Sequence, residues 1–280
     1  MNTQKERKTR YLLASDFDQT LSFNDSGHVL AELMGIRDFE AKVKGLAETH
    51  LVQQGAELAY LLRHDPAFRT VRREQLTLAG KRVRLKDDVA LLAEMLKANL
   101  GNARIHFCVI SAAPRLVVQS ALEGILPPEH VFGTEFGYDA VSGEISSVLR
   151  VPAGYGKVAA LQELELAHGV TPDKTIYVGD GSSDLYVMHH VNSCDGHTIA
   201  VSESKSIGRT AERTVLSDSA LSVLLPIMED ILGWNATRIR EHFASYGLGL
   251  QGWDKIRTDW LDFQRERPSR SAISVVPGAS

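Results

Sequence analysis

The chain has 280 residues, which is long enough for one complete α/β domain and a smaller second one. Its hydrophobic content of 44% and charged content of 24% are typical of a globular protein in water, and a formal net charge of −4 argues against a general nucleic-acid-binding protein. Cys108 and Cys194 lack metal or redox spacing, which favours a reduced cytoplasmic location, and the apolar run after the basic N-terminus is too short for a signal peptide or a membrane span.

The first predicted strand is the short apolar run at residues 11–14, which is typical of a buried parallel strand. Asp16 and Asp18 follow it and project to the same side, because side chains alternate along a strand. Ligands of open α/β sheets bind at the carboxyl ends of the strands. Two adjacent carboxylates repel each other unless a cation or a proton lies between them. The pair therefore predicts a metal ion.

A helical pattern without a convincing strand follows at residues 23–85, with apolar residues every three or four positions in 41–62. We interpret it as a small helical cap inserted after the first strand. Residues 63–86 hold eight Lys or Arg residues against two acids. This basic stretch could steer an anionic substrate inward, or it could be an ordinary solvated helix surface.

The remainder of the chain alternates strands and helices. Strands are predicted at 105–110, 175–179, 198–202 and 213–217, and helices at 87–99, 115–125, 157–169 and 183–191. This order predicts an α/β fold with a Rossmann-like parallel sheet and helices on both faces. The predicted core comprises residues 1–22 and 86–232. The predicted cap comprises residues 23–85, and residues 233–280 are predicted to form a C-terminal helical extension with a loose tail.

Polar side chains follow several of these strands and can meet in one crevice. They are Asp16, Asp18, Thr20, Ser111, Lys157, Asp180 and Asp184. Carboxylates are hard oxygen ligands that suit Mg²⁺, which also binds substrate phosphate, and the lysine and the hydroxyls are donors for that phosphate.

Each pattern also has a structural alternative. Asp16 and Asp18 could form a strand-end turn, and Ser111 could be a helix cap. The glycine-rich segment before Lys157 is not a P-loop, which would need Gly in place of Val151 and Ser or Thr in place of Val158.

The ordered motifs DFDQT (16–20), Ser111 in VISAAP, Lys157 in GYGKVAAL and GDGSSDL (179–185) resemble the phosphatases of the haloacid dehalogenase superfamily. A helical cap after the first motif is similar to the phosphoserine phosphatase-like group.

The resemblance implies a role for each residue of the motifs. Asp16 is the nucleophile that forms an aspartyl-phosphate, and Asp18 is the general acid and base. Thr20, Ser111 and Lys157 bind phosphate. Mg²⁺ is held by Asp16, the backbone carbonyl of Asp18 and Asp180, while Asp184 and Ser183 lie in the surrounding shell.

Asp25 occupies roughly the place where the phosphoserine phosphatases hold the substrate ammonium group, as a shorter acid than the usual glutamate. The arginine that binds the substrate carboxylate in that group has no clear counterpart, and Arg63 is the nearest candidate. Ser183 replaces the usual asparagine, and Ala112 and Ala113 replace two glycines. The identity of the substrate therefore stays open.

The sequence thus predicts a Mg²⁺-dependent phosphatase acting on a small phosphorylated metabolite in the cytoplasm, with no nucleic-acid or membrane partner. The alternative is a protein of the same fold that binds or regulates without turnover. The oligomeric state is left open.

Overall fold

The computed structural model describes residues 8–250, and the sheet at its centre is built from short apolar strands. The strands are β1 (Thr9–Ser15), β2 (Ala103–Pro114), β3 (Val131–Tyr138), β4 (Ile145–Arg150), β5 (Thr175–Gly179), β6 (His197–Ala200) and β7 (Arg213–Thr214). Within the described residues they form one seven-stranded sheet in the order β4-β3-β2-β1-β5-β6-β7. Neighbours pair in parallel, except that β3 and β4 form an antiparallel hairpin. The predicted α/β fold with a Rossmann-like sheet is confirmed.

Helices cover both faces of this sheet. They are α1 (Ser26–Leu33), α2 (Phe39–Thr49), α3 (Glu57–His64), α4 (Arg73–Arg82), α5 (Val89–Ala98), α6 (Arg115–Ala121), α7 (Tyr155–His168), α8 (Leu185–Ser193), α9 (Lys205–Thr210), α10 (Leu224–Pro226) and α11 (Ala236–Ser245). Helices α7 and α8 pack with Leu12 and Tyr177 on one face. Leu92 of α5 lies with Leu13 on the other, as alternation along β1 requires. None of the helices formed by residues 8–250 has the length and apolarity that crossing a bilayer needs.

The strands differ from the sequence prediction at the two edges of the sheet. The β3–β4 hairpin was not predicted, because β3 is interrupted by glycines and Leu149 of edge strand β4 is exposed, so neither strand is a continuous apolar run. Strand β2 continues past Ile110 to Pro114, so that Ser111 lies inside the strand. At the other edge only Arg213 and Thr214 of the predicted strand 213–217 pair with β6.

Helices α1 to α4 occupy the chain between β1 and α5, and the two ends of this insertion lie side by side. The Phe23 N–H donates to the Arg84 carbonyl at 2.9 Å, and the Lys86 N–H donates to the Leu21 carbonyl at 2.9 Å. The helical pattern at 41–62 is divided between α2 and α3, because the chain turns at His50, whose φ is 51°.

Several cations of the basic stretch 63–86 have structural contacts. The Arg72 guanidinium donates to the Ser142 carbonyl at 2.8 Å and to the Glu144 carboxylate at 3.0 Å. The guanidinium of Arg73 lies 4.0 Å from the centre of the Tyr138 ring. These contacts join the insertion to the β3–β4 hairpin.

Helix α11 belongs to the predicted C-terminal extension and is amphipathic, with Ile239 and Phe243 buried. Trp234, which precedes it, is also largely buried. The rest of the predicted extension and tail, residues 251–280, lies outside the described residues.

Helix α4 is held against α6 by a close approach at Gly80. A Cβ atom at this position would lie 2.3 Å from the Val117 carbonyl oxygen and 2.7 Å from the Ser120 Cβ. Backbone atoms cannot move aside as a flexible side chain can, so α4 is fixed to the core of the fold.

Substitution of Gly80 by alanine should therefore destabilise the protein. We expect the free energy of unfolding to fall by about 1–3 kcal/mol, as in other overpacked sites. Gly45→Ala is the matched control, because Gly45 is exposed in α2 with nothing within 4 Å of its Cβ position. It should gain about 0.5–1 kcal/mol from helix propensity. Urea unfolding followed by circular dichroism measures both, and equal shifts for the two variants would contradict the close contact.

Candidate active site

The carboxyl ends of β1 and β5 meet at the site. Ser15 is in register with Val178, and the Asp16 N–H donates to the Val178 carbonyl at 2.8 Å. Strands β1 and β5 therefore end beside each other, and Asp16 and Asp180 directly follow them. Carboxylate oxygens of Asp16, Asp180 and Asp184 lie within 4.8 Å of one another.

Lys157 supplies the positive charge of this cluster. Lys157 is 1% exposed, and its Nζ lies 2.9 Å from Asp16 Oδ1 and 2.6 Å from Asp184 Oδ1. The first turn of α7 places it there, because Gly156 lets the helix start close to β4: a Cβ on Gly156 would lie 2.3 Å from the Val151 carbonyl oxygen.

Asp184 connects the lysine to the loop after β5. It is fully buried and accepts from Lys157 Nζ, from the Tyr177 hydroxyl at 2.7 Å and from the backbone N–H groups of Asp180 and Gly181 at 3.2 and 3.3 Å. These bonds fix the loop that carries Asp180. Sequence reasoning missed Tyr177, because the hydrophobic pattern of β5 does not distinguish a tyrosine with a bonded hydroxyl from an ordinary buried strand residue.

Burial and the neighbouring charges shift the pKa values of Asp16, Asp180 and Lys157. Burial, followed by repulsion from Asp184, raises the pKa of Asp16 well above its usual range. Burial and Asp184 likewise raise the pKa of Asp180 to about 6. Burial alone would lower the pKa of Lys157, but the Asp16 and Asp184 carboxylates outweigh it and raise it. Three carboxylates share one ammonium group, so the cluster favours a further cation.

The donor set fits a magnesium ion. The three acids are hard oxygen ligands, and an ion between them would reduce the repulsion from Asp184 that helps to raise the pKa values of Asp16 and Asp180. Asp16 and Asp180 line the cavity, whereas Asp184 is fully buried and does not line it.

Asp18 lines the same cavity but lies outside this cluster. Its carboxylate accepts from the Ser26 N–H and the Ser26 hydroxyl, both at 2.8 Å, at the start of α1. Burial, with repulsion from Asp25, raises its pKa to about 7. A carboxyl with this pKa can both donate and accept a proton near neutrality.

The predicted phosphate ligands do not share one environment. Ser111 and Lys157 line the cavity, and the Ser111 hydroxyl oxygen accepts from the Ala113 N–H at 3.1 Å. Thr20 is 3% exposed, and its hydroxyl donates to Asp180 Oδ1 at 3.3 Å. Thr20 is therefore placed to orient Asp180 rather than to reach into the cavity.

The cavity above these residues has a volume of about 450 Å³ and lies between the sheet and the insertion. Ser183 and Asp25 line it, and Asp25 Oδ1 also caps α1 by accepting from the His28 N–H at 3.0 Å. Gln54 of the insertion reaches across and donates to the Ser182 hydroxyl. Arg63 lines a separate cavity with Asp65 and Glu144.

The insertion contributes residues that the sequence did not single out. Besides Asp25, its wall of the cavity includes the apolar residues Phe39, Val43, Ala47 and Leu58 and the polar residues His28, Gln54 and Glu57. Helical spacing alone did not distinguish them from ordinary core positions.

Comparisons with known proteins agree with this geometry. Residues 13–189 match the family model of the haloacid dehalogenase-like hydrolases. No curated protein gives a significant match.

Solved structures share the fold at low sequence identity. A phosphoserine phosphatase solved as an analogue of its phospho-aspartyl intermediate is 18% identical with a TM-score of 0.61, covering 78% of this chain and 98% of its own. A hydrolase from Salmonella enterica serovar Typhi is 15% identical with a TM-score of 0.65, covering 82% and 74%. A phosphoserine phosphohydrolase-like protein from Francisella tularensis is 16% identical with a TM-score of 0.59, covering 77% and 99%.

The charge balance of the cluster predicts opposite effects for two substitutions in metal-free buffer at pH 7. Lys157→Met should lower the free energy of unfolding by about 3–5 kcal/mol, because it leaves buried carboxylates without their cation. Asp16→Asn should leave that free energy equal or higher, because the raised pKa of Asp16 means that folding disfavours its charged form.

Urea unfolding in EDTA measures both variants, and addition of Mg²⁺ should restore part of the stability of Lys157→Met. Loss of stability in Asp16→Asn together with none in Lys157→Met would show that the ammonium group does not balance this cluster.

Proposed function

Because the chain belongs to the haloacid dehalogenase-like hydrolases, we propose that it is a Mg²⁺-dependent phosphatase that hydrolyses a small phosphomonoester through an aspartyl-phosphate on Asp16. The observation that carries this proposal is the buried cluster of Asp16, Asp180 and Asp184 around Lys157 at the ends of β1 and β5. One lysine and a surplus of carboxylates suit a site for a divalent cation and a phosphate group.

In the first step, a carboxylate oxygen of Asp16 attacks phosphorus, and the bond from phosphorus to the ester oxygen breaks. Asp18 gives its proton to the departing alcohol, which its pKa of about 7 allows. Lys157 and the Ser111 hydroxyl bind phosphate oxygens. Bound Mg²⁺ would neutralise negative charge on the phosphate, so that the Asp16 carboxylate can approach it.

In the second step, Asp18 removes a proton from water, whose oxygen attacks phosphorus and releases Asp16. Asp184 positions Lys157 and the loop of Asp180, and Thr20 orients the Asp180 carboxylate. Each group thus returns to its starting state.

We propose that residues 23–85 act as the cap of this site, on a core of residues 1–22 and 86–232. The insertion covers the cavity, and its Gln54 contacts the loop after β5. A covered site excludes water during the first step and leaves room for a small phosphorylated metabolite rather than a phosphoprotein or a nucleic acid. A cytoplasmic location is proposed from the unpaired Cys108 and Cys194.

Asp16→Asn should abolish phosphatase activity without unfolding the protein. The wild type should release phosphate from p-nitrophenyl phosphate when Mg²⁺ is present and lose this activity in EDTA, while the variant should stay at background in both. Circular dichroism controls for folding. A folded wild type that releases no phosphate from a broad panel of metabolites with Mg²⁺ would favour the alternative, a binding or regulatory protein without turnover.

Asp18→Asn should separate the roles of the two acids. We expect a loss of about 10²-fold or more on alkyl phosphates, whose leaving oxygen needs a proton, and a smaller loss on p-nitrophenyl phosphate, whose leaving group needs little protonation. Single-turnover formation of the phosphoenzyme measures the first step directly. Equal losses on both kinds of ester would assign the proton to another group.

A further inference from the structure

A second cavity lies between helices α4 and α6 and the β3–β4 hairpin, and we call it the hairpin cavity. Its volume is about 380 Å³. Among the described residues it shares no lining residue with the candidate active site: Ala113 lines the active-site cavity, and Pro114, the next residue, lines the hairpin cavity. Small-molecule sites typically have volumes of about 300–1,000 Å³, so this cavity is large enough for a ligand of its own.

Two guanidinium groups and one carboxylate line the hairpin cavity. The carboxylate belongs to Glu135, which accepts from Arg115 Nη1 at 2.7 Å. Arg73 forms no ion pair within residues 8–250, and the adjacent acid Glu74 does not line the cavity. The pairing of Arg115 with Glu135 therefore leaves one positive charge over. This balance suits a ligand with a single negative charge, since a second one would be repelled by Glu135.

The contact of Arg73 with Tyr138 leaves its hydrogen-bond donors available. The guanidinium lies 4.0 Å from the centre of the Tyr138 ring. A guanidinium that stacks on an aromatic ring uses its face, whereas its N–H groups lie in its plane and can bind both oxygens of a carboxylate. Burial raises the pKa of Tyr138, so its hydroxyl is neutral at pH 7 and does not repel an anion.

Apolar side chains lie beside these charges, and one of them is largely open to solvent. Leu76 and Phe136 are buried, whereas Leu149 of the edge strand β4 is 67% exposed. A ligand with an apolar body would cover Leu149, and removal of apolar surface from water favours binding. The close approach at Gly80 fixes α4 against α6, so two walls of the cavity are formed before a ligand binds.

We propose that the hairpin cavity is a second binding site, whose ligand is a small monocarboxylate with an apolar body and whose carboxylate-binding residue is Arg73. The proposed phosphatase function does not require this site, so the inference goes beyond that function and can fail separately from it. A molecule bound there contacts α4 of the insertion, α6 and the hairpin at once.

Phenylpropionate and phenylpropanamide test the class of ligand, because they have nearly the same shape and differ in charge. Titration of the isotope-labelled wild type, followed by nuclear magnetic resonance, gives both dissociation constants. We expect phenylpropionate to bind with a Kd of about 1 mM or lower, and the amide to bind about 10- to 100-fold more weakly, the range for one hydrogen bond to a charged group. Equal binding of the two, or no binding of phenylpropionate up to about 10 mM, would overturn the proposal.

Arg73→Met tests the residue and should weaken phenylpropionate binding about 10-fold or more. Lys81→Met is the matched control, because it removes the same charge from an exposed position of α4 that does not line the cavity. It should leave the Kd unchanged. Leu149→Ala tests the apolar wall at an exposed position where folding should not suffer, and we expect about 3- to 10-fold weaker binding. Circular dichroism controls for folding of all three variants.

The same Kd for Arg73→Met and Lys81→Met would contradict the role of Arg73, and an unchanged Kd for Leu149→Ala would contradict the apolar wall. Inorganic phosphate with Mg²⁺ distinguishes the two cavities. Phenylpropionate should still bind in its presence, with shifts centred on residues of α4, α6 and the hairpin. Displacement by phosphate, with shifts confined to the active-site cavity, would place the carboxylate there and overturn the proposal.

Discussion

The ammonium group of Lys157, shielded from solvent, lies within hydrogen-bond distance of both Asp16 and Asp184. Without it, carboxylates from two strands and a helical turn could not be buried together, because each would repel the others in a medium of low polarity. Three features hold this pair of contacts in place: the close start of α7, the loop after β5 and the hydrogen bond from the Tyr177 hydroxyl to Asp184. Because three carboxylates share one ammonium group, the site still favours a further cation.

Asp16 and Asp18 show how position gives the same residue type two properties. Asp16 belongs to the cluster around Lys157, whereas Asp18, two residues on, accepts two hydrogen bonds from Ser26 of the insertion. Its pKa of about 7 therefore depends on the helical segment as well as on the sheet. Burial and the Asp25 charge raise this pKa, and the two hydrogen bonds from Ser26 of α1 lower it.

The core of the site could be predicted from the sequence because strand ends of a parallel sheet meet at one edge, so acids that follow apolar runs must lie together. Asp16 and Asp180 follow this rule. Tyr177 does not, since it lies inside β5 and its hydroxyl gains a role only from its bond to Asp184, in the turn that follows the strand. The β3–β4 hairpin was missed for a related reason: as the edge of the sheet, it needs no continuous apolar run.

The paired ends of the insertion have a consequence for how such a protein can change. Because the Phe23 N–H donates a hydrogen bond to the Arg84 carbonyl, the two ends of the insertion lie next to each other beside the sheet, independently of the length of the segment between them. A segment joined at neighbouring points can lengthen, shorten or be exchanged at a small entropic cost, which grows only slowly with its length. The limits are α4, which Gly80 ties to α6, and the start of α1, where Ser26 bonds Asp18, so variation is freest in α2 and α3. Under the proposed phosphatase function, selectivity for the alcohol could then change while the chemistry at phosphorus stays constant.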